Sequence, residues 1–338
     1  MKLLVLGGTR FLGRHLVAEA LARGHEPTLF NRGRTAPGLF AGNEELRGDR
    51  DGDLAPLRGR YWDAVADTCG YLPRVVRHSA QALQDAVGRY LFVSSISVYA
   101  DSSAAGQDEN SPRALLPDPG CEDIPNHYGA LKAASEDEVL AIFGQRAILL
   151  RPGLIVGPFD PTGRFTYWVQ RLARGGKVLA PASPDYPVQF IDARDLAAWA
   201  LDLIEHRRTG AFNASGPAAP LTFADFLDQC RQALHSQAEF VWPDAGFLAS
   251  HGVAPWTELP LYAGEDGRGL CQINIRRALS AGLRLRTAAE TCVDTARWAA
   301  ASSPPAGVGL APEREIDLLQ AWQAHCVVAL LQRGSARG

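Results

Sequence analysis

The 338-residue chain exceeds the usual ~100–200 residues of one domain, so one large domain and a smaller one are expected. A composition of 46% hydrophobic and 21% charged residues is that of an ordinary globular protein and excludes a disordered or fibrous one. The net charge of -3 supplies no basic field of the kind a dedicated nucleic-acid binder carries.

The chain opens on the apolar strand Lys2–Leu6, which Gly7 and Gly8 break far short of a secretory segment. No later run approaches the ~18 apolar residues of a membrane span, so a cytoplasmic location without membrane attachment is expected. A helical pattern follows over His15–Arg23, then a strand over Glu26–Asn31, a strand over Ala64–Asp67, a helix over Val75–Val87 and a strand over Arg89–Ser94. A helix over Ala130–Phe143 and a strand over Ala147–Arg151 complete the series. Such alternation predicts βαβ units and an α/β, doubly wound parallel sheet with helices on both faces.

After Gly157-Pro158 the rhythm gives way to Pro- and Gly-rich segments, within which Val188–Ile191 reads as a strand and Asp195–Glu205 as a helix returning to the sheet. The expected division is therefore a first domain over 1–158, rejoined by 187–215, and a smaller substrate domain over 159–186 and 216–298. Residues 299–338 are read as a linker, at 300–312, and an amphipathic helix near Glu313–Leu331. Phe165, Trp168, Trp242, Trp256 and Tyr262 are candidates either for an apolar substrate pocket or for the core of the smaller domain. The cysteines Cys69, Cys121, Cys230, Cys271, Cys292 and Cys326 show neither a CxxC pair nor a Cys/His cluster, so reduced thiols and no metal site are expected.

Chemistry is concentrated in three places. First, "LLVLGGTRFLG" at 3–13 places a glycine turn between a strand and a helix, where backbone N–H groups and the positive helix end face a pyrophosphate. Gly7 permits the turn and Gly13 a close helix–strand approach. A carboxylate about 20 residues on usually takes the adenosine ribose hydroxyls, but the second strand ends in Asn31. With no negative charge expected there, Arg10 and Arg32, with Arg34 nearby, are candidates to clamp a 2′-phosphate, which favours NADP(H) with NAD(H) as the alternative.

Second, "YLFVSSISVYA" at 90–100 is a strand ending in hydroxyls. Third, "HYGALKAASE" at 127–136 places Tyr128 and Lys132 four apart on one helix face, about 5–6 Å between Cβ atoms. A lysine ammonium beside the phenol is expected to lower the Tyr128 pKa and make it a general acid or base, with Ser95 donating to the substrate oxygen.

The order of these motifs, closing with "LLRPGLIVGP" at 149–158, resembles the extended and atypical branches of the short-chain dehydrogenase/reductase superfamily from residue 2 to residue 215. The family string T-G-x-x-G-x-x-G departs here at Arg10, which replaces the middle glycine. The resemblance implies a Rossmann-like domain and a catalytic set of Ser95, Tyr128 and Lys132. It also implies a cofactor shell of Gly7, Thr9, Arg10, Phe11, Leu12, Gly13, Asn31, Arg32, Asp49, Arg50, Thr68, Cys69 and Pro152, together with Tyr128 and Lys132. In that shell Asp49 and Arg50 fall where the family contacts adenine, and Tyr99 belongs to a Val-Tyr signature that packs or lines the pocket.

Nucleotide-sugar epimerases and dehydratases of the family carry R-Y-x-N after the lysine helix, whereas this chain reads Arg151-Pro152-Gly153-Leu154. An apolar Leu154 cannot hold a sugar nucleotide by a hydrogen bond. The R-P-G form resembles the family's ketone and aldehyde reductases, so an NADPH-dependent carbonyl reductase acting on a small molecule is expected. An epimerase or dehydratase with retained NAD is the alternative. "GGTRFLG" and "NRG" also resemble the chloroplast stem-loop RNA-binding proteins, so a non-catalytic NADP-sensing or RNA-binding relative is the third reading. A small-molecule partner, no nucleic acid, and a chain free to form a homodimer complete the expectations.

Overall fold

Strands buried on both faces must be apolar along their length, and Leu3, Leu4, Val5 and Leu6 have no more than 1% of their surface exposed. In the computed structural model, which describes residues 1–181, 183–302, 305 and 307–335, this run is β1 (Lys2–Leu6). It lies within a seven-stranded sheet with β2 (Glu26–Asn31), β3 (Glu45–Arg47), β4 (Trp62–Asp67), β5 (Val87–Val93), β6 (Ala147–Pro152) and the edge strand Gly210–Ala214. The order runs from the edge strand through β6, β5, β4, β1 and β2 to β3, and every pairing is parallel. This is the doubly wound, Rossmann-like sheet predicted from the alternation. Strand order reverses between β1 and β4, and open sheets of this kind bind ligands at the carboxyl ends of the strands beside that point.

Helices α1 (Phe11–Ala22) and α4 (Ala193–Glu205) bury their apolar residues against one face. Leu16, Val17, Trp199 and Leu203 join Leu3, Val5, Ala64 and Ala66 in one core. On the other face α2 (Pro73–Leu83) and α3 (Ile124–Phe143) supply Val76, Leu83, Val139 and Phe143 to a second core with Leu4, Leu6, Val65 and Phe92. Each such side chain is worth about 1.5–3 kcal/mol on burial. The glycine turn feeds straight into Phe11, the start of α1, as its role at a helix N-terminus requires, whereas α3 starts earlier than predicted because Asp123 caps Asn126 N at 3.3 Å ahead of Pro125. Of the predicted strand Val188–Ile191 only the end is regular, at Ile191–Asp192. There Asp192 accepts from Arg194 N at 2.8 Å and starts α4.

The chain divides into two units, Met1–Ile155 with Gln189–Ala218 and Gly269–Arg286, and Val156–Val188 with Ala219–Arg268 and Thr287–Gly338. Residues 269–286, predicted to lie in the smaller domain, belong to the sheet unit. Ala278 and Leu283 enter the core of α4, and Arg286 N donates to Asp195 at 2.7 Å. A one-turn helix and loops carry no periodicity from which this could be read.

Within the second unit the strands Gly176–Leu179 and Ala238–Val241 pair in parallel. Its core contains Phe165 and Trp168, both without exposed surface, and Tyr262 is nearly as buried. Trp168 Nε1 donates to Pro260 O at 2.7 Å. Of the two readings of these aromatics, the core holds for all three. The terminal helix Pro312–Ser335 is anchored by Glu315, which accepts from Arg171 Nε at 2.6 Å and Leu179 N at 3.0 Å. Part of the predicted linker at 300–312 lies outside the described residues. Among the described residues no helix is long and apolar enough to cross a membrane.

Candidate active site

Residues of the glycine turn leave β1 with φ values of +102° at Gly7 and +89° at Gly8, a backbone region that L side chains avoid. Beneath them Thr68, just past β4, donates its hydroxyl to Leu6 O at 2.8 Å. A Cβ on Gly7 would fall 2.7 Å from Thr68 Oγ1, and one on Gly13 would fall 2.9 Å from Gly8 N and Cα. The turn is therefore a cradle that any side chain would fill. Arg10 is the N-cap of α1 without a side-chain cap, and no acidic residue stands in the first turn, so the leading N–H groups of Phe11, Leu12 and Gly13 are aimed at the crevice without local neutralisation. Phe11 itself has φ +38°, a strained value for a non-glycine residue. Such an uncapped helix end over a glycine cradle fits a dinucleotide pyrophosphate. Thr9 lies in the turn, and Pro152 closes β6 in register with Ala214.

At the carboxyl ends of β5 and β6 the hydroxyls come together. Ser95, buried, lies 3.1 Å from Ser97 Oγ and accepts from Ser97 N at 3.1 Å. Tyr128, at the start of the regular part of α3 after a break at His127, hydrogen-bonds with the Ser95 side chain. Gly129 makes this approach possible, since a Cβ there would fall 2.0 Å from Ser97 O. Gly129→Ala is therefore expected to push α3 off Ser95 and to lower kcat by about 10²-fold, as an ångström of misplacement does. Dinucleotide affinity should stay within error, and parallel kcat and Kd measurements check the split. Gly153 plays a similar part at β6, its missing side chain leaving room for Ser215 Oγ at 2.5 Å from an added Cβ.

Lys132 differs from expectation. Its ammonium, almost wholly buried, donates to Gly70 O at 2.6 Å and Val93 O at 2.7 Å, and clasps the loop after β4 to β5. Burial brings its pKa down to about 8 against the pull of Asp67. Tyr128 is not depressed. Burial and the neighbouring Tyr71 phenol push it up to about 12, with the Ser95 hydrogen bond acting the other way. At neutral pH Tyr128 is a phenol, a proton donor.

Several cofactor-shell residues serve the scaffold. Arg50 forms two hydrogen bonds with Asp67, at 2.6 and 2.8 Å, and others with Ser79, and is drawn under β4. It is not open to contact adenine as expected. Cys69, its thiol pushed up by burial, lies 3.5 Å from Arg50 and lines the turn. Asp49 remains half-exposed, 4.0 Å from Arg32. Asn31 braces the turn, donating to Gly7 O at 3.3 Å and accepting from Gly33 N at 2.7 Å. The expectation that no carboxylate stands there is corrected: Glu45 of β3 accepts from Asn31 Nδ2 at 2.9 Å. Tyr99 packs, donating to Asn213 at 2.6 Å beside the buried Arg151–Glu136 pair.

Tyr71 is the residue that sequence reading missed. Half-exposed on the loop after β4, its ring lies 5.1 Å from the Lys132 ammonium, and its phenol acts on Tyr128. Its position just past the carboxyl end of a parallel strand was the available signal.

The profile of the NAD dependent epimerase/dehydratase family matches residues 62–215. Just under half of the chain is thus similar to that family. The match agrees with the resemblance drawn from the sequence motifs. A chloroplast stem-loop binding protein of 41 kDa from Arabidopsis thaliana is 28% identical over 253 residues, 69% of this chain. The match spans 63% of that relative's length. Among solved structures, the Bordetella bronchiseptica enzyme WbmG in complex with NAD has a TM-score of 0.65 at 20% identity, over 89% of this chain and 94% of the other. Human epimerase family protein SDR39U1 with NADPH has a TM-score of 0.60 at 21% identity, over 88% and 99%. At these identities the two structures share the fold.

Proposed function

We propose that this chain is an NADP(H)-dependent oxidoreductase that reduces the ketone or aldehyde of a small organic substrate. The observation that carries the reading is the close seating of Tyr128 against the Ser95–Ser97 turn through the bare Gly129 at the sheet's carboxyl edge, where burial pushes the phenol up to about 12. A bound reduced nicotinamide supplies the hydride to the carbonyl carbon. Tyr128 gives its proton to the carbonyl oxygen and is reprotonated from solvent, while Ser95 stabilises the charge developing on that oxygen. Lys132 holds the Gly70–Tyr71 segment against β5, and in this reading its third N–H serves the nicotinamide ribose. The glycine cradle and the uncapped start of α1 hold the pyrophosphate, and Arg10 and Arg32 face the adenosine end. That one structural neighbour was solved with NADPH and others with NAD agrees with dinucleotide use. The exposed Arg32 favours the phosphorylated form, and the Glu45 carboxylate beside Asn31 acts against it, its charge offset by Arg47.

An epimerase or dehydratase is the second reading, favoured by the family profile. It is separated from the first by what copurifies. Mass spectrometry of the purified protein is expected to find no retained NAD, and titration should give reversible NADPH binding. Retained NAD would overturn the reductase. Arg32→Ala is expected to weaken NADPH by about tenfold, the worth of one exposed charge-assisted contact, and NADH far less. Equal losses in a fluorescence titration would remove Arg32 from 2′-phosphate recognition. A cytoplasmic, small-molecule enzyme without nucleic-acid or membrane partners, free to dimerise, belongs to the same proposal.

A further inference from the structure

At the ends of β2 and β3 Asn31, Gly33, Glu45 and Arg47 form a closed set. The Asn31 amide donates to Glu45 Oε1 at 2.9 Å and Gly7 O at 3.3 Å, and its oxygen accepts from Gly33 N at 2.7 Å and Arg47 NH1 at 3.4 Å. Glu45 Oε2 accepts from Arg47 NH2 at 2.8 Å. Asn31 has thus used both its donors and both its lone-pair directions, and each Glu45 oxygen already serves one partner. Asn31 has no acceptor left for a ribose diol, and the Glu45 carboxylate, the group that takes that task at this position, is paired with Arg47.

Arg47 is different. Its fork has five donors, two of them engaged here, and its side chain is 46% exposed. It occupies the space beside Gly33, where an added Cβ would fall 1.5 Å from Arg47 NH1. The residue between Arg32 and Arg34 therefore has no side chain, and a guanidinium from the next strand fills the gap. Arg32 lacks such a seat: it is 57% exposed, with Asp49 at 4.0 Å.

We propose that Arg47 is a further specificity-determining residue that binds the adenosine 2′-phosphate, seated by Glu45, Asn31 and the bare Gly33, with Arg32 closing from the other side. The proposal rests on the NADP(H) reading above. It assigns to β3 a role that the sequence reading gave to the glycine turn and the end of β2.

The test is calorimetric titration of the full chain with adenosine 2′,5′-bisphosphate, 5′-AMP, NADPH and NADH, which reads binding without turnover. Arg47→Gln is expected to weaken the two 2′-phosphorylated ligands about tenfold and the other two less than about twofold, as loss of one charge-assisted contact predicts. The preference of the wild-type chain for the bisphosphate over 5′-AMP should shrink with added salt, and that of the variant should shrink less. If the wild type shows no such preference, the NADP(H) reading fails and this proposal with it. If the wild type shows the preference and Arg47→Gln keeps it, or loses all four ligands equally, only the role of Arg47 is overturned.

Discussion

Tyr128→Phe is expected to lower turnover by about 10²–10⁴-fold, the usual worth of a positioned proton donor, while NADPH affinity stays within about twofold. The ring remains, and only the proton and the hydrogen bond with Ser95 are lost. The pH dependence of the wild type separates this role from a packing one. Because Tyr128 is pushed up to about 12, the donor form persists through neutral and mildly alkaline pH, so reduction should show no loss from this group below about pH 10. Alcohol oxidation, which needs the phenolate, should rise across the same range, and Tyr128→Phe should abolish that rise. Full turnover in the variant would remove the phenol from the reaction.

Arg50→Met is expected to be the most destabilising single change in the sheet unit. Asp67 is fully buried, and Arg50 holds its carboxylate below the ordinary range while Tyr90 OH donates to it at 2.8 Å. Removing the guanidinium leaves a buried charge without its partner, a loss of about 3–5 kcal/mol. The sign with pH follows from linkage. In the wild type Asp67 contributes stability above the ordinary carboxylate pKa that is lost as pH falls through its depressed folded value. In the variant its folded pKa rises above ordinary, so the penalty is greatest at neutral pH and diminishes as pH falls. Urea unfolding at pH 7 and pH 5 should show the gap between wild type and variant narrowing, and the double change Arg50→Met with Asp67→Asn should recover part of the loss. An unchanged midpoint at pH 7 would show that Asp67 is neutral or solvated.

Both predictions concern residues whose types were legible and whose partners were not. Tyr128, Ser95 and Lys132 could be named because a strand end and a helical spacing of four fix where those side chains begin. The end of a long lysine side chain is not fixed by spacing, and Lys132 reaches two carbonyls from other segments. Arg50 and Asp67 lie far apart in sequence, as do Asn31 and Glu45, and such pairings depend on strand order, to which local pattern is blind. Apolar runs give strands and helix faces directly, which is why the sheet was readable. The one-turn helix and loops of 269–286 have no period, and their place against α4 came from the fold alone.

Thr68 carries a further consequence. Its hydroxyl stands in the space that side chains at positions 7 and 13 would need, so those three sites cannot drift one at a time. Among sequences descended from a common ancestor, a bulkier residue at 68, or a non-glycine at 7 or 13, should be met only where the turn itself has been rebuilt, because the φ of Gly7 and the Gly8 backbone beside Gly13 exclude a side chain whatever stands at 68. A threonine that touches no reacting atom would then record, in its pattern of exchange, how long the nucleotide cradle has been kept.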